Sequence, residues 1–262
     1  MQKRRSILII AALAGFAGLT YASVVTHIDQ DFSGFTTGTI NTNPSGWGGL
    51  NSANLNVEIE EESGDKYMTI GRTGPGAVTY TSAMGGNTAL NIDTTKSGEY
   101  KWSFDFCIDP STPTASGSVT YIYLDSGSGK TFASLFLRKE ASGFNVYVYN
   151  NLSDSYTASA NNTLLTTIDV DEWYNVSFDI WTDGDTGHIG YDVTVGTDSL
   201  AVASQASLLT SDAVRMGWSP QMNGALISYD NILLQTVPEP ATVGLFAISG
   251  LVALVWRKLH KS

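Results

Sequence analysis

The chain has 262 residues and a formal net charge of −11, from 14 Lys and Arg against 25 Asp and Glu. Six of the cations and one acid lie in the two ends, so eight cations face twenty-four acids in between, about −16 for the body. Such a body excludes nucleic acid, whose phosphates need clustered Lys and Arg, and a stable hold on anionic lipid, but it admits cations and neutral glycans. The chain opens with a positive stretch, Lys3, Arg4 and Arg5, followed by an uncharged apolar run from Ile7 to Leu19. Thr20-Tyr21-Ala22 then places small residues at −3 and −1 of a cut between Ala22 and Ser23. This is the pattern of a secretory signal peptide over residues 1–22, and it implies Sec-type export.

Residues 23–236 read as one large all-β domain. Gly, Ser, Thr, Asn and Asp punctuate short runs rich in β-branched and aromatic residues. The first such run, Glu58-Ile59-Glu60-Glu61-Glu62, puts Glu58, Glu60 and Glu62 on one face of a strand just before a Gly64-Asp65 turn. Glu99 to Ile108 has a period of two, with Tyr100, Trp102, Phe104, Phe106 and Ile108 facing one way. Val119 to Leu124, Thr131 to Arg138, Phe144 to Tyr149, Trp173 to Trp181 and His188 to Val195 repeat the theme, and Ala225 to Leu234 closes it. Leu200 to Ser211 is the best candidate for a helix or an irregular stretch. Alternation with Gly- and Asp-rich turns implies two packed antiparallel sheets. The single cysteine, Cys107, excludes an internal disulfide and reads as a small buried hydrophobe.

The C-terminal segment, residues 237–262, has three parts. Pro238-Glu239-Pro240 keeps the chain extended, since proline fixes φ and lacks an N–H. The apolar run from Ala241 to Trp256 would make roughly 24 Å of helix, short but serviceable for a membrane span. Arg257, Lys258 and Lys261 follow as a cytoplasmic flank. The order of these parts resembles the PEP-CTERM signal of exported bacterial proteins. That resemblance implies an exosortase as partner, a transient membrane anchor through a helix over 241–256, and delivery to the cell surface or matrix.

The body carries its own resemblance. Asp31-Phe32-Ser33-Gly34-Phe35 with Gly38 and Trp47, Phe104-Asp105-Phe106, Trp173-Tyr174-Asn175, and Ile227-Ser228-Tyr229-Asp230-Asn231-Ile232 together resemble jelly-roll sandwiches of the concanavalin A or laminin G-like kind. The resemblance implies a final strand that returns beside the first. It also makes glycan an expected ligand, with Tyr121, Tyr123, Tyr147 and Tyr149 as the candidate platform and Trp181 and Trp218 in the wider aromatic pool. Asp183 and Asp185 offer oxygen ligands for Ca²⁺, though the same residues make a good metal-free hairpin turn. No other cofactor is expected. The Glu58, Glu60 and Glu62 series resembles the carboxylate trio of laminarinase-like glucanases, with Glu60 where that family has Asp and with Glu61 where it has an apolar residue. The sequence therefore leads to a non-catalytic envelope or matrix component that meets exopolysaccharide. The alternatives are a glycoside hydrolase or lyase acting through the Glu58–Glu62 edge, and a purely structural surface protein.

Overall fold

The computed structural model describes residues 24–39, 55–73, 81–82, 90–91, 99–126, 131–149, 162–182, 188–207 and 213–237. The Ala22–Ser23 junction, Trp47, the Asp183–Asp185 turn and everything from Pro238 onward, including Glu239, Pro240 and the basic flank, lie outside the described residues. Among the described residues no helix is long and apolar enough to cross a membrane.

The compact unit Val25–Thr236 is built from strands alone among its described residues. In chain order they are β1 (Val25–Gln30), β2 (Gly38–Thr39), β3 (Leu55–Glu62), β4 (Asp65–Arg72), β5 (Thr81–Ser82), β6 (Leu90–Asn91), β7 (Glu99–Ile108) and β8 (Gly117–Ser126). They continue as β9 (Thr131–Glu140), β10 (Gly143–Tyr149), β11 (Asn162–Ile168), β12 (Trp173–Thr182), β13 (His188–Val195), β14 (Asp198–Ser207), β15 (Ala213–Pro220) and β16 (Leu226–Val237). The larger sheet runs β14-β13-β12-β7-β16-β4-β3-β2, with β1 also on β16. The smaller runs β11-β10-β9-β8-β15-β5, with β6 also on β15. The closing strand does return beside the first, with Val25 opposite Thr236 and Gln30 opposite Ile232. His27 sits at the register shift of that ladder and its Nε2 lies 2.6 Å from the Thr236 hydroxyl.

The period of two seen in the sequence sorts side chains between core and surface. On β7, Trp102, Phe104, Phe106 and Ile108 are fully buried. Phe178 stacks on Trp102 with centroids 4.7 Å apart, and Trp218 meets Tyr229 at 5.4 Å from the opposite sheet. Burying a large aromatic contributes roughly 2–3 kcal/mol each, so this layer dominates stability. Turn residues set the register. Ser63 and Gly64 both have positive φ (56° and 96°), the two-residue turn that keeps β3 and β4 in line from Glu62–Asp65 to Leu55–Arg72.

The expectation for Leu200 to Ser211 is corrected over Leu200–Ser207, and the rest of it lies outside the described residues. Residues through Ser207 form β14, paired to β13 with Leu200 opposite Val193 and Val202 opposite Tyr191. Ala, Ser and Gln suit a helix, but the Gly196–Thr197 turn (Gly196 φ 60°) delivers them to an open sheet edge. Cross-strand pairing then overrides weak local propensity.

Candidate functional site

The smaller sheet places Tyr121, Tyr123 and Tyr147 on its outer face. Tyr121, Phe136, Tyr147 and Leu164 stand opposite one another across β8, β9, β10 and β11. Tyr121 stacks on Phe136 (4.6 Å, 13°), and Tyr147 meets Phe136 at 5.9 Å. The Tyr147 hydroxyl donates to Glu140 Oε1 at 2.8 Å. Tyr123 shares this face but is only 3% exposed, and Phe136 only 5%. Asn145, also outward, is buried and held by Glu140, Ser142 and Thr167. Most of this face is therefore packed and satisfied. Tyr121 and Tyr147 are half-buried, and the side chain of Tyr149 lies outside the described residues. Trp218, from the wider pool, is a core residue.

The open aromatic chemistry is on the outer face of the larger sheet. Trp173 is 46% exposed at the start of β12. Its indole meets the ring of Tyr67 on β4, beyond β7 and β16 in the strand order, with centroids 5.6 Å apart at 73°. Cys107, its cross-strand neighbour, is buried. Desolvation, with Asp171 and Asp109 adding negative charge, pushes the Cys107 thiol up to about 11, so it stays protonated and inert. The Tyr67 hydroxyl donates to Glu60 Oε2 at 3.4 Å, and burial together with Glu60 and Glu62 raises its pKa.

One residue pair further along, roughly 7 Å, lies a polar trio. Asp105 on β7 accepts from Asn175 Nδ2 on β12 and from Asn231 Nδ2 on β16, both at 2.8 Å. Both amides are exposed, and each has a carbonyl oxygen and a second N–H to offer a ligand. The geometry depends on a bulge. Tyr229 and Ile232 both face the core with two residues between them, and Asn231 takes a left-handed φ of 49°. The bulge turns Asn231 toward Asp105 and leaves Asp230 half-buried, with one oxygen lacking a hydrogen-bond partner among the described residues. Desolvation, then Asp105, Asp31 and Asp65, lift its pKa to about 6. The other end of this face is closed: Thr69 is 2% exposed and hydrogen-bonded to Ser228, and Gly71 is buried.

Sequence reasoning did not assign this site. In the sequence Trp173 and Asn175 stand only within a phrase of the jelly-roll resemblance, and nothing local ties them to Tyr67 or Asn231. The signal that could have found them is parity: Trp173, Asn175 and Trp181 lie on the polar face of their strand. Trp181 is 36% exposed and lies on Gly190, where a Cβ would come within 2.6 Å of the indole. Glu58, Glu60 and Glu62 do share the outer face, opposite Thr69, Tyr67 and Asp65. Glu62 is at the hairpin end, and β3 is flanked by the two-residue β2 rather than forming the outermost edge itself. Among the described residues no three His, Cys, Asp or Glu side chains are grouped to hold a metal.

Residues 236–259 match the PEP-CTERM protein-sorting motif. No curated protein matches the chain. Among solved structures it is similar to a carbohydrate esterase from the Shiga toxin-encoding bacteriophage phi24B, with 16% identity, 83% of this chain and 100% of that one covered, and a TM-score of 0.51. It is also similar to the catalytic domain of a glycoside hydrolase family 131 protein from Coprinopsis cinerea (13% identity, coverage 80% and 93%, TM-score 0.49) and to lectin I from Ulex europaeus (13%, 82% and 99%, 0.45). Such likeness is one of fold. The chain is a jelly-roll β-sandwich protein that carries a PEP-CTERM sorting motif. That motif implies export and membrane-associated sorting to the cell surface.

Proposed function

We propose that this is a non-catalytic surface or matrix protein that holds exopolysaccharide on the outer face of its larger sheet. The observation that carries the reading is the exposed Trp173 ring one residue pair from the Asp105–Asn175–Asn231 trio. A pyranose presents an apolar C–H face and a rim of hydroxyls. An indole packs on the first, and fixed amides with a carboxylate bind the second. The trio is held by its own hydrogen bonds before ligand arrives, so little ordering cost falls on binding.

The sorting motif supplies the address, and an exosortase is the partner that would process it. An intact C-terminus on the surface protein, read by mass spectrometry, contradicts processing. Binding is tested by retention of the full chain in gels cast with soluble polysaccharides, scored alongside reducing-sugar release. Retention without release fits the proposal. Release that disappears in Glu58→Gln/Glu62→Gln would instead favour the hydrolase.

A further inference from the structure

We infer that the Trp173–Tyr67 site selects glycans whose sugars carry free amino groups, a β-linked glucosamine polymer being the type. This rests on the glycan-holding reading above and adds the class of sugar. The aromatic pair makes the site, and the surrounding charge selects its occupant.

Acids lie beside the ring pair on β3, on β7 and in the turn that precedes β12. Glu60 accepts from Tyr67, and Glu62 lies within electrostatic reach of the same hydroxyl. Asp109, Asp171 and Glu172 add negative charge at Cys107, the cross-strand partner of Trp173. Asp105 and Asp230 lie on the neighbouring row, and Asp230 also feels Asp31 and Asp65. Among the described residues, Lys66 and Lys101 are committed elsewhere. Lys66 donates to the Phe35 carbonyl at 2.7 Å and sits 4.0 Å from Glu61, and Lys101 pairs with Asp179 at 2.9 Å. A uronic acid polymer would meet like charge here. A neutral sugar would use the ring and the amides but bring no positive charge to the carboxylates. An ammonium sugar uses all three: C–H face on indole, hydroxyls on the trio, and ammonium among carboxylates beside an electron-rich ring.

The test compares the glucosamine hexamer, its N-acetylated counterpart and cellohexaose by calorimetry on the full chain at low and high salt. The glucosamine hexamer should bind about tenfold tighter than the other two, an increment typical of one or two close charge contacts. High salt should erase most of that advantage, because exposed charges are screened over about 10 Å. Asp171→Asn/Glu172→Gln should remove the advantage and leave cellohexaose unchanged; Asn suits the left-handed φ of 63° at Asp171. Equal binding of the three hexamers overturns the selectivity and leaves the glycan reading intact. Failure of all three, with a folded protein by circular dichroism, overturns the glycan reading itself. Polylysine binding as tightly as the glucosamine hexamer also overturns the inference, since charge alone would then suffice.

Discussion

Trp173 and Tyr67 stand on strands separated by two others, yet their rings meet with centroids 5.6 Å apart. The contact requires the two side chains to lean toward each other over the intervening strands, and it leaves nearly half of Trp173 open to solvent. A residue so placed adds little to the core. Its exposure makes sense as a binding surface beside fixed hydrogen-bonding groups.

The Asp105 trio should act in binding rather than in folding. Asn231→Gly keeps the left-handed backbone that the bulge needs and deletes one amide. Glycan affinity should fall about fivefold, near 1 kcal/mol, with the melting temperature almost unchanged. A large loss of stability with unchanged affinity would assign Asn231 a structural role only.

Asp230 should make stability depend on pH. Its folded pKa of about 6 lies above the ordinary aspartate value of 3.8. The native state therefore binds the proton more tightly, and this contribution is full below pH 3.8 and lost as pH rises through 6. Half-exposure and solvent screening reduce the effect to on the order of 1 kcal/mol. Asp230→Asn should gain about that much stability at neutral pH and nothing near pH 4. Denaturant melts of both proteins across that window isolate the effect from His27, whose burial lowers its own pKa.

Gly190 should tolerate no side chain while Trp181 lies on it. Gly190→Ala forces the indole off its seat and should cost about 1–3 kcal/mol, the usual penalty of overpacking. Adding Trp181→Ala should recover part of that loss in a thermal melt. A neutral Gly190→Ala would show that the indole is free to move.

The smaller sheet's aromatic row should prove structural. Phe136→Ala removes a ring that is 5% exposed and stacked on Tyr121, and should cost about 3 kcal/mol. Glycan retention by the folded variant should match wild type.

Alternation made the strands legible from sequence. Glu99–Ile108 and His188–Val195 fall where the period of two puts them, and the Gly64 turn ends β3 as its residues require. The Leu200 stretch did not follow local preference, because a partner strand supplied through Gly196 decided its state. The sheet faces were readable, but their cover was not. Tyr123 stands on the outer face and is still buried, since solvent access depends on what lies over a sheet as well as on which way a side chain points. Trp173, Tyr67, Asp105 and Asn231 come together through strand order and a bulge, and neither is encoded in any local pattern.

Trp173→Ala in affinity electrophoresis tests the central claim most directly, with Tyr147→Ala run beside it. The account predicts a wild-type chain retarded by polysaccharide. Trp173→Ala should lose on the order of 30-fold in affinity, about 2 kcal/mol as for a buried aromatic anchor, with an unchanged melting temperature. Tyr147→Ala should remain retarded. Full retention of Trp173→Ala together with loss in Tyr147→Ala would contradict the account and move binding to the smaller sheet.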